Sequence, residues 1–408
     1  MSGAGGVALP RARVDLWLTV AAVALVGVGL MFVLSASQAI SWYEYRSAFY
    51  MFFKQTVFAV LGLAAMVVLA RVDYHRLRQL AFPGLVVAVL LMVAVLVPHI
   101  GVSSYGAQRW INLGPLGTLQ PSEVLKLALA LYLAHWIARR GDRIRRFGDG
   151  FLPFVVILGG ALGLLALQKD LGTALVVTAI CLSIYFTGGG AKRYLLLLAL
   201  ALGLAFAAMV VFEPYRLARL AAYTNPFLDP LNTSLQPYQA LIGLGSGGIT
   251  GVGLGHSVQK FNWLPQADTD FIFAIVGEET GLIGTTLLLS GFVLFAVRGY
   301  RAAMRAPDRM GVMLASGITT WITFQALVNM GVVANLLPIT GVPLPFISAG
   351  GSALALAMAA VGVLLNISSQ GKKQSYISDR RTDAAVDSGR RHRRAPVAGT
   401  RSRAGVSR

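Results

Sequence analysis

The sequence has 408 residues, of which 56% are hydrophobic and only 13% charged, with a net charge of +18. An ordinary soluble domain is about one quarter charged. With a mean hydropathy of +0.67, this chain has too much apolar surface to hide in water, so its length goes into membrane spans rather than several soluble domains. Its arginines and lysines cluster in short segments between apolar runs and in the C-terminal tail, as topology determinants do, which argues against nucleic-acid binding.

A helix needs about 20 mostly apolar residues to cross a bilayer. Such runs lie near 16–36, 51–70, 81–98, 120–138, 151–167, 172–188, 194–212, 270–298, 311–335 and 347–367. They predict an all-α polytopic membrane protein with about ten transmembrane helices. The first run follows Arg11 and Arg13 but is longer than the roughly 7–15 residues of a secretory apolar region, so it reads as an uncleaved helix. The fifth and sixth runs are separated by Gln168-Lys-Asp-Leu171, a tight hairpin. Cys181, the only cysteine, sits inside an apolar run and excludes an internal disulfide.

Loop charge sets the orientation. If residues 1–13 are cytoplasmic, 27 of the 35 basic residues fall on that side, placing both termini inside. The longest loop, 213–269, then faces outward between the seventh and eighth helices of the 14–369 membrane domain. It carries a glycine-rich run from Gly243 to Gly255 and several aromatics, which favour packing over disorder. From 370 to 408 apolar runs stop, and too little apolar surface remains to offset chain entropy, so a disordered basic tail is expected. Such a tail is either simply solvated or in contact with anionic headgroups.

Ionisable residues within a membrane domain are costly and mark candidate sites. Four places near the outer face stand out. The first is Gly106-Ala-Gln-Arg-Trp-Ile-Asn-Leu-Gly114, followed by Gln120-Pro-Ser-Glu-Val-Leu-Lys126. Pro121 suits a helix start, and Glu123 and Lys126 share one face at i, i+3, as a site pair or a pair that only neutralises itself. In the second, Gln168-Lys-Asp-Leu-Gly-Thr173, Asp170 suits a helix cap. The third is Trp263-Leu-Pro-Gln-Ala-Asp-Thr-Asp-Phe-Ile-Phe273, continuing to Glu278 and Glu279. Here Asp268 or Thr269 suits the cap, Asp270 falls in the first turn, and at least one glutamate should face a polar interior. A carboxylate at Asp270, at the hydrocarbon rim near basic residues, has the makings of a general base. The fourth, Leu337–Ser352, holds three prolines and three glycines and marks a cavity mouth, because non-helical backbone at membrane depth must line a cavity or be buried by protein. No G-x-x-x-x-G-K-[ST] loop, H-E-x-x-H or G-x-S-x-G motif occurs, so an enzyme here would need a substrate already activated.

Together with YRLARLAAYTNP and NMGVV, these motifs in this order resemble the SEDS family of shape, elongation, division and sporulation glycosyltransferases typified by RodA and FtsW, over residues 14–367. The resemblance implies a peptidoglycan glycan-chain polymerase in the bacterial cytoplasmic membrane. Its substrate would be lipid II, and its partners a class B penicillin-binding transpeptidase and other divisome or elongasome membrane proteins. The family's catalytic aspartate in T-D-F-I-F corresponds to Asp270, and its paired charges in Q-P-S-E-x-x-K to Glu123 and Lys126. Substrate contacts are expected from Arg109, Asp170, Arg216, Arg219, Lys260, Ser348, Gly350 and Gly351. Displacing a diphosphate at an anomeric carbon needs a base and positive charge. A divalent cation, magnesium or manganese, would help, although no motif requires one. Two departures stand out: Asp268-Thr-Asp270 replaces the family's usual H-T-D, and Ser348-Ala-Gly-Gly351 replaces S-Y-G-G. The T-G-V-P-L-P-F-I-S stretch and the basic tail favour the division type. A flippase for lipid-linked precursors is the rival expectation.

Overall fold

The computed structural model describes residues 14–392 apart from 99, 105–106, 113, 115–116 and 212–213. A chain in lipid must satisfy its backbone internally, so the apolar runs form helices. Ten long helices follow the expected spans: α1 Leu16–Tyr45, α2 Tyr50–Arg71, α4 Ala81–Ala94, α5 Pro121–Arg140, α6 Leu152–Leu167, α7 Leu171–Thr187, α8 Lys192–Val211, α11 Ile272–Met304, α12 Arg309–Val333 and α13 Gly351–His392. Short helices α3 (Tyr74–Leu77), α9 (Pro214–Thr224) and α10 (Leu235–Ser246) lie between them. Strands β1 Gly101–Ser104, β2 Ala107–Asn112 and β3 Thr118–Leu119 add a small antiparallel sheet that pairs Val102 with Trp110 and Ile111 with Leu119.

The bundle has an inside and a lipid side. The apolar windows of α12 and α13 are 72% and 78% buried, against 22% for α2 and 17% for the helix containing α4. Central α12 packs on α11, α7 and α5, while α13 lies along α2. The outer helices leave Val57, Val60, Val86 and Leu90 exposed, as lipid contact demands.

Aspartate caps anchor the membrane boundary. Asp15 accepts from Leu18 N at 3.1 Å and pairs with Arg298, and Asp308 accepts from Gly311 N at 2.9 Å. The first helix runs nine residues beyond the expected 36, to Tyr45, and inside it Ser37 Oγ donates to Val33 O at 2.6 Å. At the other end, α13 continues through His392, past residue 370 where a disordered tail was expected, since extending an established helix costs little per residue. The tail's last part, 393–408, and residues 1–13 lie outside the described residues.

The loop at 213–269 does not simply face outward. The segment after α10 runs back along α11, where Gly281 breaks the helix at φ 63° and ψ −160°. Two bonds run from the loop to α11, Val252 N to Glu278 O at 3.0 Å and Gly253 N to Glu279 O at 3.1 Å. Two return from α11, Leu282 N to Gly248 O at 2.9 Å and Ile283 N to Ile249 O at 3.2 Å. Glycine is required for this approach, because a Cβ on Gly247 would lie 2.0 Å from Gly277 O and one on Gly251 2.1 Å from Glu279 O.

Candidate active site

Asp270 sits in the turn just ahead of α11, outside the membrane-spanning helix. The helix N-cap is Phe271, with no side-chain cap, so neither Asp268 nor Thr269 caps it and Asp270 precedes its first turn. The turn is tighter than the sequence suggests because Gln266 adopts φ 61°, and its carbonyl accepts from Thr269 N at 3.2 Å and Phe271 N at 3.1 Å. Thr269 Oγ1 donates to Gln266 Oε1 at 2.6 Å, which removes it from capping.

The end of α12 and the segment after it hold this turn, and the α6–α7 hairpin packs on that segment. Residues 334–350, between α12 and α13, are non-helical as expected. Asn329 Nδ2 donates to Asp270 O at 2.6 Å and to Val342 O at 2.8 Å, clamping the turn to that segment. Ser348 Oγ donates to Thr269 O at 2.6 Å, and Ala349 N donates to Asp268 O at 2.9 Å. On the near side Gly341, at φ 69°, leaves a Cβ position 3.5 Å from Asp270 Oδ2. The hairpin between α6 and α7 arrives from another direction, with Gly172 packed on Thr340 O and Val342. Asp170 caps α7 as expected, accepting from Thr173 N at 3.1 Å and Thr173 Oγ1 at 2.9 Å.

Two arginines add positive charge to the surroundings of the carboxylate. Arg109, carried by β2, is held by Gln168 O at 3.4 Å and by Lys169 O. Arg219, carried by α9, donates to Ile339 O at 3.5 Å. Both act electrostatically on Asp270. Burial pushes the Asp270 carboxyl up to about 6, with Arg109 and Arg219 working against the rise and Asp170 and Asp268 adding to it. Asp268 is also pushed up to about 6, chiefly by burial, with its own backbone opposing and Glu44 adding. Asp270 is nevertheless only half-buried, so it remains open to a reactant.

Glu123 and Lys126 lie in the protein interior at the start of α5, whose N1 residue is Pro121 as expected. Lys126 Nζ is 2.7 Å from Glu123 Oε1, 2.8 Å from Gln325 Oε1 and 4.9 Å from the Trp321 ring centre. Gln325 Nε2 in turn donates to Pro343 O, in the mouth segment, at 2.9 Å. Glu123, Trp321 and Gln325 line one side of a cavity of about 20 Å³ whose other side is Pro343–Phe346 and Ser348. The pair therefore supports the mouth segment from within.

Several expected contacts are arranged differently. Lys260 is buried against Glu279 at 3.3 Å and Gly255 O at 2.6 Å, so it neutralises the re-entrant loop and is not available to a diphosphate. Glu278 and Glu279 both face this polar interior: Val258 N donates to Glu278 at 2.9 Å and Ser35 Oγ to Glu279 at 2.5 Å. Ser348 Oγ and Gly350 N are engaged internally, the latter with Gln55 Oε1 at 3.1 Å, and Gly351 makes room for the Phe58 ring. The side chain of Arg216 lies outside the described residues. Sequence reasoning missed Gln55 and Gln325, and took Asn329 only as part of NMGVV without a role. Their signal was an amide inside an apolar helix, which must find partners there.

The chain matches the cell cycle protein family of FtsW, RodA and SpoVE over residues 16–373. It belongs to that family. It is 43% identical over 361 residues to a protein named probable peptidoglycan glycosyltransferase FtsW from Geobacter metallireducens, covering 88% of this chain and 96% of the relative. Stage V sporulation protein E of Bacillus subtilis is 41% identical over 355 residues, covering 87% of this chain and 96% of that one. Among solved structures, a chain of a peptidoglycan synthase complex superposes with a TM-score of 0.71 at 31% identity, covering 88% of this chain and 98% of that chain. The rod shape determining protein RodA of Thermus thermophilus superposes with a TM-score of 0.64 at 30% identity, covering 87% and 96%.

Proposed function

We propose that this protein polymerises peptidoglycan glycan strands from lipid II at the outer face of the cytoplasmic membrane, with Asp270 as the general base. The observation that carries the assignment is one half-open carboxylate under the electrostatic influence of Arg109 and Arg219, at the junction of the outer loop and α11. Relatives named as peptidoglycan glycosyltransferases, matched over nearly their full length, support the reaction class.

In the reaction, Asp270 takes the proton of the acceptor sugar hydroxyl as its oxygen attacks the donor's anomeric carbon. The bond to the diphosphate breaks with inversion, from an α-linked diphosphate to a β-glycoside. Arg109 and Arg219 stand where negative charge develops on the leaving group. Asn329 and Ser348 hold the turn, so the base is fixed before substrate arrives. Among the described residues no group of three His, Cys, Asp or Glu side chains gathers to hold a metal, and both Asp170 oxygens are engaged by Thr173. A divalent cation would draw on the substrate's diphosphate and at most one or two carboxylates here, and would supply charge stabilisation to the leaving group.

The excess of arginine and lysine on alternate loops supports an orientation with both termini in the cytoplasm. The FtsW names among the most similar relatives support a division role over an elongation role. The structural relative drawn from a peptidoglycan synthase complex supports pairing with a class B penicillin-binding transpeptidase. A flippase needs polar groups across the bilayer, whereas Glu123 and Lys126 on α5 pair with each other and Glu279 on α11 is closed by Lys260 of the loop.

The test is glycan-chain length on a gel, using lipid II and the protein purified with its transpeptidase. Asp270→Asn keeps the shape and removes the basicity, and should abolish chain synthesis, since a general base contributes about 10²–10⁴-fold. Asp268→Asn should do much less. Normal chains from Asp270→Asn would remove the assignment, and loss at Asp268 alone would move the base two residues upstream.

A further inference from the structure

At the basic end of the bundle, opposite the active site, a second recess of about 350 Å³ opens between α4 and α5. Its walls are Phe82 near the start of α4 and Tyr132, His135, Trp136, Arg139 and Arg140 along the end of α5. The volume lies within the range of small-molecule pockets, about 300–1,000 Å³. Its chemistry is graded with depth. Arg139 and Arg140 close α5 at the membrane boundary, and Tyr132 lies eight residues back, about 12 Å deeper at 1.5 Å per residue. The Phe82 and Tyr132 rings meet there at 6.4 Å, and Phe82 is 64% exposed toward lipid.

The cationic end is built for an anion. The Arg140 guanidinium stacks over the Trp136 ring at 4.2 Å, which orders it before any ligand binds. Arg78, just ahead of α4, and Arg139 both act on His135. Among the described residues no carboxylate lies within ion-pair distance of Arg78, Arg139 or Arg140, and the nearby Asp142 is turned to Arg309 at 3.7 Å.

We propose that this recess binds an anionic phospholipid of the leaflet that borders the basic loops. The phosphate sits on Arg139 and Arg140, and the upper acyl chain runs against Phe82 and Tyr132. Free phosphate would leave the aromatic wall empty, whereas a lipid fills both the charged and the apolar part.

Native mass spectrometry of the full-length detergent-solubilised protein, with phosphatidylglycerol or phosphatidylcholine added, tests this. Wild type should retain phosphatidylglycerol preferentially, and Arg139→Gln/Arg140→Gln should lose about fivefold of that preference per arginine. Millimolar inorganic phosphate should not displace the lipid. Arg143→Gln/Arg146→Gln, on the same membrane side, should retain it. In nanodiscs, brominated phosphatidylglycerol should quench tryptophan fluorescence more than brominated phosphatidylcholine, and Trp136→Phe should abolish that difference, a readout that does not depend on the arginine variants folding. Equal retention of the two lipids by wild type, displacement by phosphate, or equal losses in the two arginine pairs would overturn the proposal.

Discussion

Removing either member of the Glu123–Lys126 pair should harm the protein unequally. Both side chains are almost wholly buried, and Nζ lies 2.7 Å from Oε1. At that distance, with an effective dielectric constant of about 20, the gross attraction is about 6 kcal/mol. Desolvation of the two ions offsets most of it, so what is measurable is the cost of orphaning one partner, about 3–5 kcal/mol. Glu123→Ala leaves Lys126 with Gln325 Oε1 at 2.8 Å and the Trp321 ring at 4.9 Å. Lys126→Ala leaves the Glu123 carboxylate without its one side-chain hydrogen-bond partner among the described residues. The lysine variant should therefore lose about 4 kcal/mol and the glutamate variant about half that. Glu123→Gln/Lys126→Met, which removes both charges at similar volume, should return to within about 1 kcal/mol of wild type. The assay is the thermal midpoint for loss of the monodisperse peak in detergent. Equal losses in the two alanine variants, or a double variant no better than the worse single, would refute the reasoning.

Polymerase activity should rise with pH through about 6, well above the ordinary carboxylate range, because Asp270 must be ionised to accept a proton and burial holds its carboxyl up. Asp268→Asn should shift that limb down by removing a like charge, and Arg109→Gln should shift it up; initial rates from pH 4.5 to 8 read both. The same raised value works against the fold as pH rises: the protonated carboxyl's contribution is present below about 3.9 and lost through about 6. Gly251→Ala forces a Cβ to within 2.1 Å of Glu279 O at φ 81° and should cost about 3 kcal/mol or more, seen as a lower thermal midpoint. Cysteine at Leu231, which is 80% exposed, should react with an impermeant thiol reagent in intact cells, and cysteine at Arg146 should not; Cys181 is buried and gives no background. The reverse pattern would invert the orientation.

Much of the architecture was legible in the sequence because membranes make composition decisive. Each run of about 20 apolar residues has to become a helix, and excess arginine on alternate loops orders them. Local chemistry was readable too: Pro121 starts α5, Asp170 caps α7, and the prolines and glycines of 337–352 keep that stretch out of a helix. Asp270 stood out as a carboxylate where no apolar run wants one. What the sequence left open was set by contacts between residues far apart in the chain. Whether Lys260 met a diphosphate or Glu279 depended on the loop re-entering along α11, which requires Gly247 and Gly251 to meet backbone some 30 residues away. Whether Asp268 capped a helix depended on the Gln266 turn and on Ala349 claiming its carbonyl. Arg109 and Arg219 act on Asp270 from a strand and a short helix far apart in the chain. Periodicity describes a helix by itself, whereas a site is made where several meet, and that convergence is a property of packing alone.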